Sequence, residues 1–406
     1  MSELLTVGIV GSSLKENEER VAIHPDHIKR IPLKFRKQMT FEESYGLKFG
    51  VDDHTIAQLT SGRVAPRKEI LNSFDCVLMP KPLLSDLAQV RKGAIVWGWP
   101  HCVQQKEVTQ ISIDRKLTII AWEEMFTWTN SGDKNMHIFY KNNEMAGYAG
   151  VNHALSLIGI AGHYGKSRKA VVLSFGSVSR GAIYALQGQG IQDITIYTNR
   201  VSTDVNDQLP GITFKQMKND DSGQLCSVES DGSTLPFSEV LSDVDIIVNG
   251  ILQNTEHPIM FVPKKDEEKL KKGTLIIDIS CDEDMGFWCA KPTTFEHPII
   301  ESEGKFYYSV DHSPSYYWQS ASWEISKAIL PFLPIVIGGS KVWAENNPIS
   351  RAIEIKQGII QNSKILSFQH RNKNYPHLVI NKGIIKNPKI ISFQQRKESY
   401  SNLAQN

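Results

Sequence analysis

Short apolar runs alternate with polar, helix-like stretches along most of the chain. "LLTVGIV" (4–10), "DCVLMP" (75–80), "GAIVWGW" (93–99) and "LTIIAW" (117–122) form one series. "KAVVLSF" (169–175), "DITIYT" (193–198), "DVDIIVNGI" (243–251) and "GTLIIDIS" (273–280) form a second. Runs of this length without strict alternation suit strands buried on both faces of a parallel sheet. The stretches between them, such as "HPDHIKRIPLKF" (24–35), read as crossovers. Two such series predict an α/β protein with two doubly wound domains and a cleft between them.

Two segments link the series. "NNEMAGYAGVNHALSLIGIAG" (142–162) carries Ala146, Gly147, Ala149 and Gly150, small residues that let a helix approach another backbone closely. "SPSYYWQSASWEISKAILPFLPIV" (313–336) reads as an amphipathic helix after a proline start, returning the chain to the first domain. The predicted organisation is a substrate domain of residues 1–140 with 313–345, a nucleotide domain of 141–312, and an extension over 346–406. The extension holds a duplication: "GIIQNSKILSFQHRNKNY" (358–375) recurs as "GIIKNPKIISFQQRKESY" (383–400). The apolar–polar pattern of "KILSF" and "KIISF" predicts a β-like tail, each copy a strand or hairpin.

Composition narrows the class without naming a function. Hydrophobic residues make up 41% and charged residues 22%, ordinary values for a globular protein, and a net charge of +1 gives no global attraction to an acidic partner. From Arg351 onward ten Lys/Arg stand against two Asp/Glu, a basic tail whose plain reading is an edge extension or an oligomer contact. No nucleic-acid motif accompanies it, so nucleic-acid binding is not expected. The five cysteines are scattered without a Cys-x-x-Cys pair, which predicts reduced thiols and a cytoplasmic protein. No signal peptide and no apolar run of membrane-spanning length is read in the sequence, and no metal site is predicted.

Candidate chemistry collects where strands end. "AVVLSFGSVSRGAIYALQGQG" (170–190) has a strand, a glycine-bearing turn and a helix, the context of a dinucleotide loop, but Ser174 and Ser179 stand where the first and third fingerprint glycines fall. Gly176, with Ser177 and Val178 after it, is read as the pyrophosphate approach, and Gly181 as a close helix contact. The next strand ends in Thr198, Asn199 and Arg200 in place of the carboxylate that favours NAD(H). Arg200 suits a 2′-phosphate, so NADPH is favoured and NADH remains open. A plain strand-to-helix turn and a surface arginine are the alternatives.

In the first series "KENEERVAIHP" (15–25), "MPKP" (79–82) and "WGWPHC" (97–102) place Arg20, Lys81 and His101 at or after strand ends. Together they suit a small 2-oxo acid: guanidinium for the carboxylate, ammonium for the keto oxygen, imidazole for proton transfer. Each taken singly reads more readily as a solvated or structural residue. "IIDISCDEDMG" sets Asp278 and Asp282 at a strand end, and "YYSVDHSPS" sets Asp311 and His312 at a turn. These suit substrate orientation or, equally, caps and loop hydrogen bonds.

These motifs resemble a known superfamily containing alanine dehydrogenase, lysine-forming saccharopine dehydrogenase and N5-(carboxyethyl)ornithine synthase, and the likeness spans residues 7 to 335. "KENEERVAIHP" is similar to the alanine dehydrogenase signature, which implies that Arg20 holds the oxo-acid carboxylate. "MPKP" and "PHC" imply substrate or acid–base roles for Lys81 and His101. "KNNEMAGYAGV", and "DIIVNGI" with its Asn249, resemble carboxyethylornithine synthase. "SVDHSPS" and "GSVSRGAI" resemble saccharopine dehydrogenase. The likeness further implies that Asp282 lies near the nicotinamide, Asp311 binds substrate, and Glu123 supports the site. Pro82 and the missing strand-end carboxylate depart from the pattern.

The implied fold is two Rossmann-like domains. The implied activity is an NADPH-dependent opine-type oxidoreduction joining an amino acid amine to a 2-oxo acid, or its reverse, in a homo-oligomer. A simple alanine-type dehydrogenase, and a cofactor-binding scaffold without turnover, remain as alternatives.

Overall fold

The computed structural model describes residues 4–205, 208–220, 223–251, 253, 259–281, 283 and 285–372. These fall into two compact units: unit 1 holds 4–15, 19–139 and 325–372, and unit 2 holds 16–18 and the described part of 140–324.

Unit 1 begins with β1 (Val7–Ile9), β2 (Met39–Glu42), β3 (Val64–Ala65), β4 (Cys76–Leu78), β5 (Ile95–Gly98) and β6 (Thr118–Ala121), with helices α1 (Arg67–Ser73) and α2 (Lys106–Asp114) among the crossovers. All six strands pair in parallel, and β1 lies between β2 and β4, so the strand order reverses there. Every residue of β1, β2, β4, β5 and β6 is buried, which is why these segments read as unbroken apolar runs.

Unit 2 opens with α3 (Tyr140–Leu157), then β7 (Lys169–Leu173), α4 (Ser177–Gly188), β8 (Asp193–Thr198), β9 (Thr213–Asn219), β10 (Leu225–Val228), β11 (Thr234–Pro236), β12 (Ile246–Asn249), β13 (Leu275–Asp278), β14 (Ile299–Ser302) and β15 (Lys305–Tyr308). The sheet order is β11-β10-β9-β8-β7-β12-β13-β15-β14. Its centre is parallel, with antiparallel strands at the edges. The order reverses at β7, the strand that leads into the glycine turn.

Helices α3 and α4 cross at backbone contact. A Cβ on Gly147 would overlap the Val178 carbonyl, and one on Gly181 would overlap that of Glu144. The small residues of both segments therefore serve one helix pair inside unit 2.

After α5 (Trp318–Ile329) the chain adds β16 (Ile353–Lys356), β17 (Ile359–Ile360) and α6 (Ser363–Phe368) to unit 1. β16 pairs antiparallel with β6, completing an eight-stranded sheet, so residues 346–372 belong to unit 1 and do not form a separate extension.

The first repeat copy corrects the β-like tail: among its described residues only Ile359–Ile360 is strand, and "SKILSF" is helix α6. Asn362 caps it by accepting the Lys364 N–H, and Ile365 is buried in the unit 1 core. A helical turn brings Ile365 and the buried Gln369 to one face within about 6 Å along the axis, where a strand would set them about 13 Å apart. The second copy lies outside the described residues.

The helical stretch Ser313–Ile337 is long and apolar enough to cross a membrane, contrary to the reading of apolar runs alone. Its Ile325, Ile329, Leu333, Val336 and Ile337 pack in the same core as β1 and β5. Gly147→Ala is expected to destabilise unit 2 by about 1–3 kcal/mol through overpacking, read as a lower denaturant midpoint.

Candidate functional site

Because β1, β4, β5 and β6 are parallel neighbours, their carboxyl ends share one edge of unit 1. Arg20 lies on the loop after β1, Lys81 follows β4, His101 follows β5 and Glu123 follows β6. The Lys81 ammonium donates to His101 Nε2 at 2.7 Å. With Nε2 accepting, a neutral ring carries its proton on Nδ1, the nitrogen 3.8 Å from Glu123 Oε1.

His101 has φ +52°, a left-handed backbone unusual for a side-chain-bearing residue, and its N–H donates to Glu123 Oε1 at 2.7 Å. Glu123 thereby fixes the loop as well as facing the imidazole. Arg20 is only 3% exposed, and its guanidinium lies 5.3 Å from the Trp99 ring, with Lys81 Nζ 5.8 Å from the same ring. Trp99 is held edge-on by Trp122 and against Phe139, so two cations are kept over a rigid aromatic wall.

A second network, missed by the sequence reading, ties the strand-end loops together. Glu42 Oε2 accepts the N–H groups of Gly11 and Ser12. Arg67 on α1 donates to the Ser12 carbonyl and to Asp86 Oδ1, while Asp86 Oδ2 accepts the Leu83 N–H. The loops after β1 and β4 are thus braced through one arginine. Nothing in residue spacing marks Glu42, Arg67 and Asp86, which lie far apart in the chain.

In unit 2 the two missing glycines have a structural counterpart. Ser174 takes φ +73°, the conformation a fingerprint glycine supplies, and its hydroxyl lies 2.9 Å from that of Ser179. Ser179 Oγ also lies 3.1 Å from the Leu173 carbonyl and Ser174 Oγ 3.3 Å from that of Gly250, so one hydroxyl donates to its neighbour and the other to its carbonyl. The serine pair therefore pins the turn internally.

Gly176 caps α4 without a side-chain hydrogen bond, and nothing lies within 4 Å of where its Cβ would be. Open space before a twelve-residue helix, whose first N–H groups at Ser177 and Val178 meet no capping side chain, fits a pyrophosphate. At the end of β8, Thr198 is buried and accepts the Arg200 N–H, the Asn199 carbonyl accepts from Gln216, and Arg200 is exposed.

Asn249 is 1% exposed; its amide donates to Asp278 Oδ1 and accepts the Ile251 N–H, so its side chain braces the strand ends. Asp278 Oδ2 accepts from Tyr307, whose hydroxyl burial pushes strongly up. Asp311 is exposed, 3.4 Å from His312 Nδ1, while His312 Nε2 donates to the Glu16 carbonyl. Asp282 lies outside the described residues. Among the described residues no cluster of three His, Cys, Asp or Glu suits a metal ion.

The N-terminal domain of the alanine dehydrogenase/PNT family matches residues 9–146, and its C-terminal domain matches 159–363. The chain belongs to the alanine dehydrogenase/PNT family. It is similar to the N(5)-(carboxyethyl)ornithine synthase of Clostridium botulinum, 27% identical over 327 residues, covering 77% of this chain and 89% of that one. The protein of the same name from Lactococcus lactis is 25% identical, covering 80% and 93%. Alanine dehydrogenase 1 of Staphylococcus aureus is 20% identical, covering 88% and 95%.

Among solved structures, an L-alanine dehydrogenase superposes with a TM-score of 0.70 at 18% identity, covering 90% of this chain and 99% of that one. A transhydrogenase from Sinorhizobium meliloti superposes at 0.66 and 17% identity, covering 88% and 99%. Both share the fold of two Rossmann-like domains. Tyr307→Phe removes a hydroxyl donor from buried Asp278 with little change of volume, and a stability loss of about 1–3 kcal/mol is expected in chemical denaturation.

Proposed function

We propose that the protein is an NADPH-dependent opine-type oxidoreductase, joining the amine of an amino acid to a 2-oxo acid or running the reverse oxidation. The observation that carries this reading is the Arg20–Lys81–His101 grouping on adjacent parallel strand ends, in a chain similar over most of its length to carboxyethylornithine synthases.

Arg20, buried beside Trp99, suits the oxo-acid carboxylate, since a desolvated guanidinium pairs strongly with a planar anion. Lys81 donates to the keto oxygen and makes its carbon more electrophilic. With Lys81 turned to the keto oxygen, His101 Nε2 takes the proton that nitrogen loses as it adds to that carbon and passes it to the oxygen, giving a carbinolamine; a second proton carried from nitrogen to the hydroxyl lets water leave and an imine remain. Glu123 keeps the imidazole in place and offsets its positive charge when it is protonated. Gly176, Ser177 and Val178 would hold the pyrophosphate at the α4 N-terminus, and Arg200 would pair with the 2′-phosphate. Bound NADPH supplies the hydride that reduces the imine.

The test is a panel of 2-oxo acids, pyruvate first, with ornithine, lysine, arginine or ammonia, following NADPH loss and identifying the product by mass. A secondary amine product supports the reading. Turnover with ammonia alone makes the protein an alanine-type dehydrogenase, and nucleotide binding without turnover on any pair makes it a scaffold. Two variants sharpen it. His101→Gln is expected to lower kcat by about 100-fold or more, and a loss of only a few-fold removes His101 from proton transfer. Arg200→Ala should weaken NADPH binding about tenfold while leaving NADH within twofold, because a charge-assisted hydrogen bond to an ion contributes about 1.5–3 kcal/mol; equal effects exclude it as the phosphate partner.

A further inference from the structure

We propose that Gln369 is a positioning residue for His101: its carboxamide holds the backbone of Cys102 and Val103, and through it the turn that aims the imidazole at Lys81. Gln369 is the C-cap of α6 and is 6% exposed. It lies beyond residue 363, where the match to the family's C-terminal domain stops. Its Nε2 donates to the Cys102 carbonyl at 2.7 Å, with the Val103 carbonyl and Thr109 Oγ1 each at 3.2 Å. A carboxamide has two N–H groups, so one serves Cys102 and the second is shared between Val103 and Thr109. The Thr109 hydroxyl itself donates to the Cys102 carbonyl at 2.7 Å.

The carboxamide is oriented from its other end. Arg371 Nε donates to Gln369 Oε1 at 2.6 Å, and the same guanidinium donates to Gln110 Oε1 at 3.1 Å. Turning the amide over would set N–H against N–H at the arginine and oxygen against two carbonyls at the loop. Cys102, Thr109 and Gln369 are all buried, so losing the amide costs the loop more than losing an exposed contact would. Cys102, Val108 and Ile365 share one apolar cluster, which seats α6 against the loop.

His101 needs such a hold. Its φ of +52° is a conformation that a side-chain-bearing residue keeps only where surrounding contacts over-determine it. On the amino side the contact is the His101 N–H on Glu123 Oε1 at 2.7 Å. On the carboxyl side the Gln105 N–H closes a turn on the His101 carbonyl at 2.9 Å, and Gln369 grips two residues inside that turn. Without the grip the turn relaxes, and the ring leaves the Lys81 ammonium that donates to Nε2 at 2.7 Å. The catalytic consequence rests on the acid–base role given to His101 above, whereas the first arm of the experiment is independent of it.

In that arm the full-length protein is studied without substrate, at a pH where the imidazole is neutral. Ring-nitrogen NMR shifts of His101, assigned with His101→Gln, report which nitrogen carries the proton. Wild type is expected to hold it on Nδ1, with Nε2 accepting from Lys81. In Gln369→Met, which keeps the volume and removes the amide, the two shifts converge as the other tautomer fills, a change of roughly fivefold in the tautomer ratio, as the loss of one hydrogen bond predicts. Gln369→Glu keeps the acceptor for Arg371 and loses the donor, so it gives the same result if the Met variant does not fold. Ile56→Ala empties core on the β2 side of unit 1, lowers Tm and leaves the ratio in place.

In the second arm, with any amine and oxo-acid pair that turns over, Gln369→Met lowers kcat about fivefold while the oxo-acid KM and NADPH affinity stay within about twofold. A wild type without the Nδ1 proton overturns the proposal. So does a ratio unchanged in the Gln369 variants with only Tm lowered, or an equal change in Ile56→Ala. A shifted tautomer with kcat unchanged keeps the positioning and removes His101 from proton transfer. If no pair turns over, the functional reading fails and the tautomer ratio still decides the role of Gln369.

Discussion

Parallel pairing is the constraint on which the rest depends. In a parallel sheet all strands point one way, so their carboxyl ends lie along a single edge, and reversal of strand order opens a crevice there. In unit 1 the reversal at β1 gathers the loops carrying Arg20, Lys81, His101 and Glu123 from four parts of the chain. In unit 2 the reversal at β7 places the Ser174–Gly176 turn beside the end of β12. Each unit supplies one half of the proposed chemistry by the same geometric device.

Around those edges, polar side chains do work that apolar packing does not. Glu42, Arg67 and Asp86 brace the loops after β1 and β4, and Asn249, Asp278 and Tyr307 brace the strand ends of unit 2. Their donors and acceptors are matched inside the fold, as buried polar groups require. Ser174 and Ser179 follow the same logic: glycines would leave the turn free, whereas two hydroxyls, one donating to the other and that one to a nearby carbonyl, hold it.

The C-terminal segment changes how the candidate site is understood. Sequence alone makes it a basic, duplicated addition, outside the resemblance that carries the other residues. The fold makes its first copy, with strand β16 before it, part of unit 1: β17 and α6 follow β16, Gln369 donates to the carbonyl of Cys102 in the loop after His101, and Glu354 on β16 is buried. A segment so placed holds the loop that follows the histidine.

The sequence by itself determined the strands, the two α/β units and most of the candidate residues. Strands buried on both faces must be apolar throughout, and residues at strand ends are read from where those runs stop. Only tertiary structure decided that "SKILSF" is helical, since Ile365 finds a core one turn from Gln369, and that Asn249 points inward to Asp278. Tertiary structure likewise brought the strand that carries Glu354 beside β6, more than 200 positions earlier in the chain, through the β6–β16 pairing. The physical reason is common to all three. Local pattern records which face a residue prefers, whereas the partner waiting on that face comes from distant chain and depends on how the sheet closes.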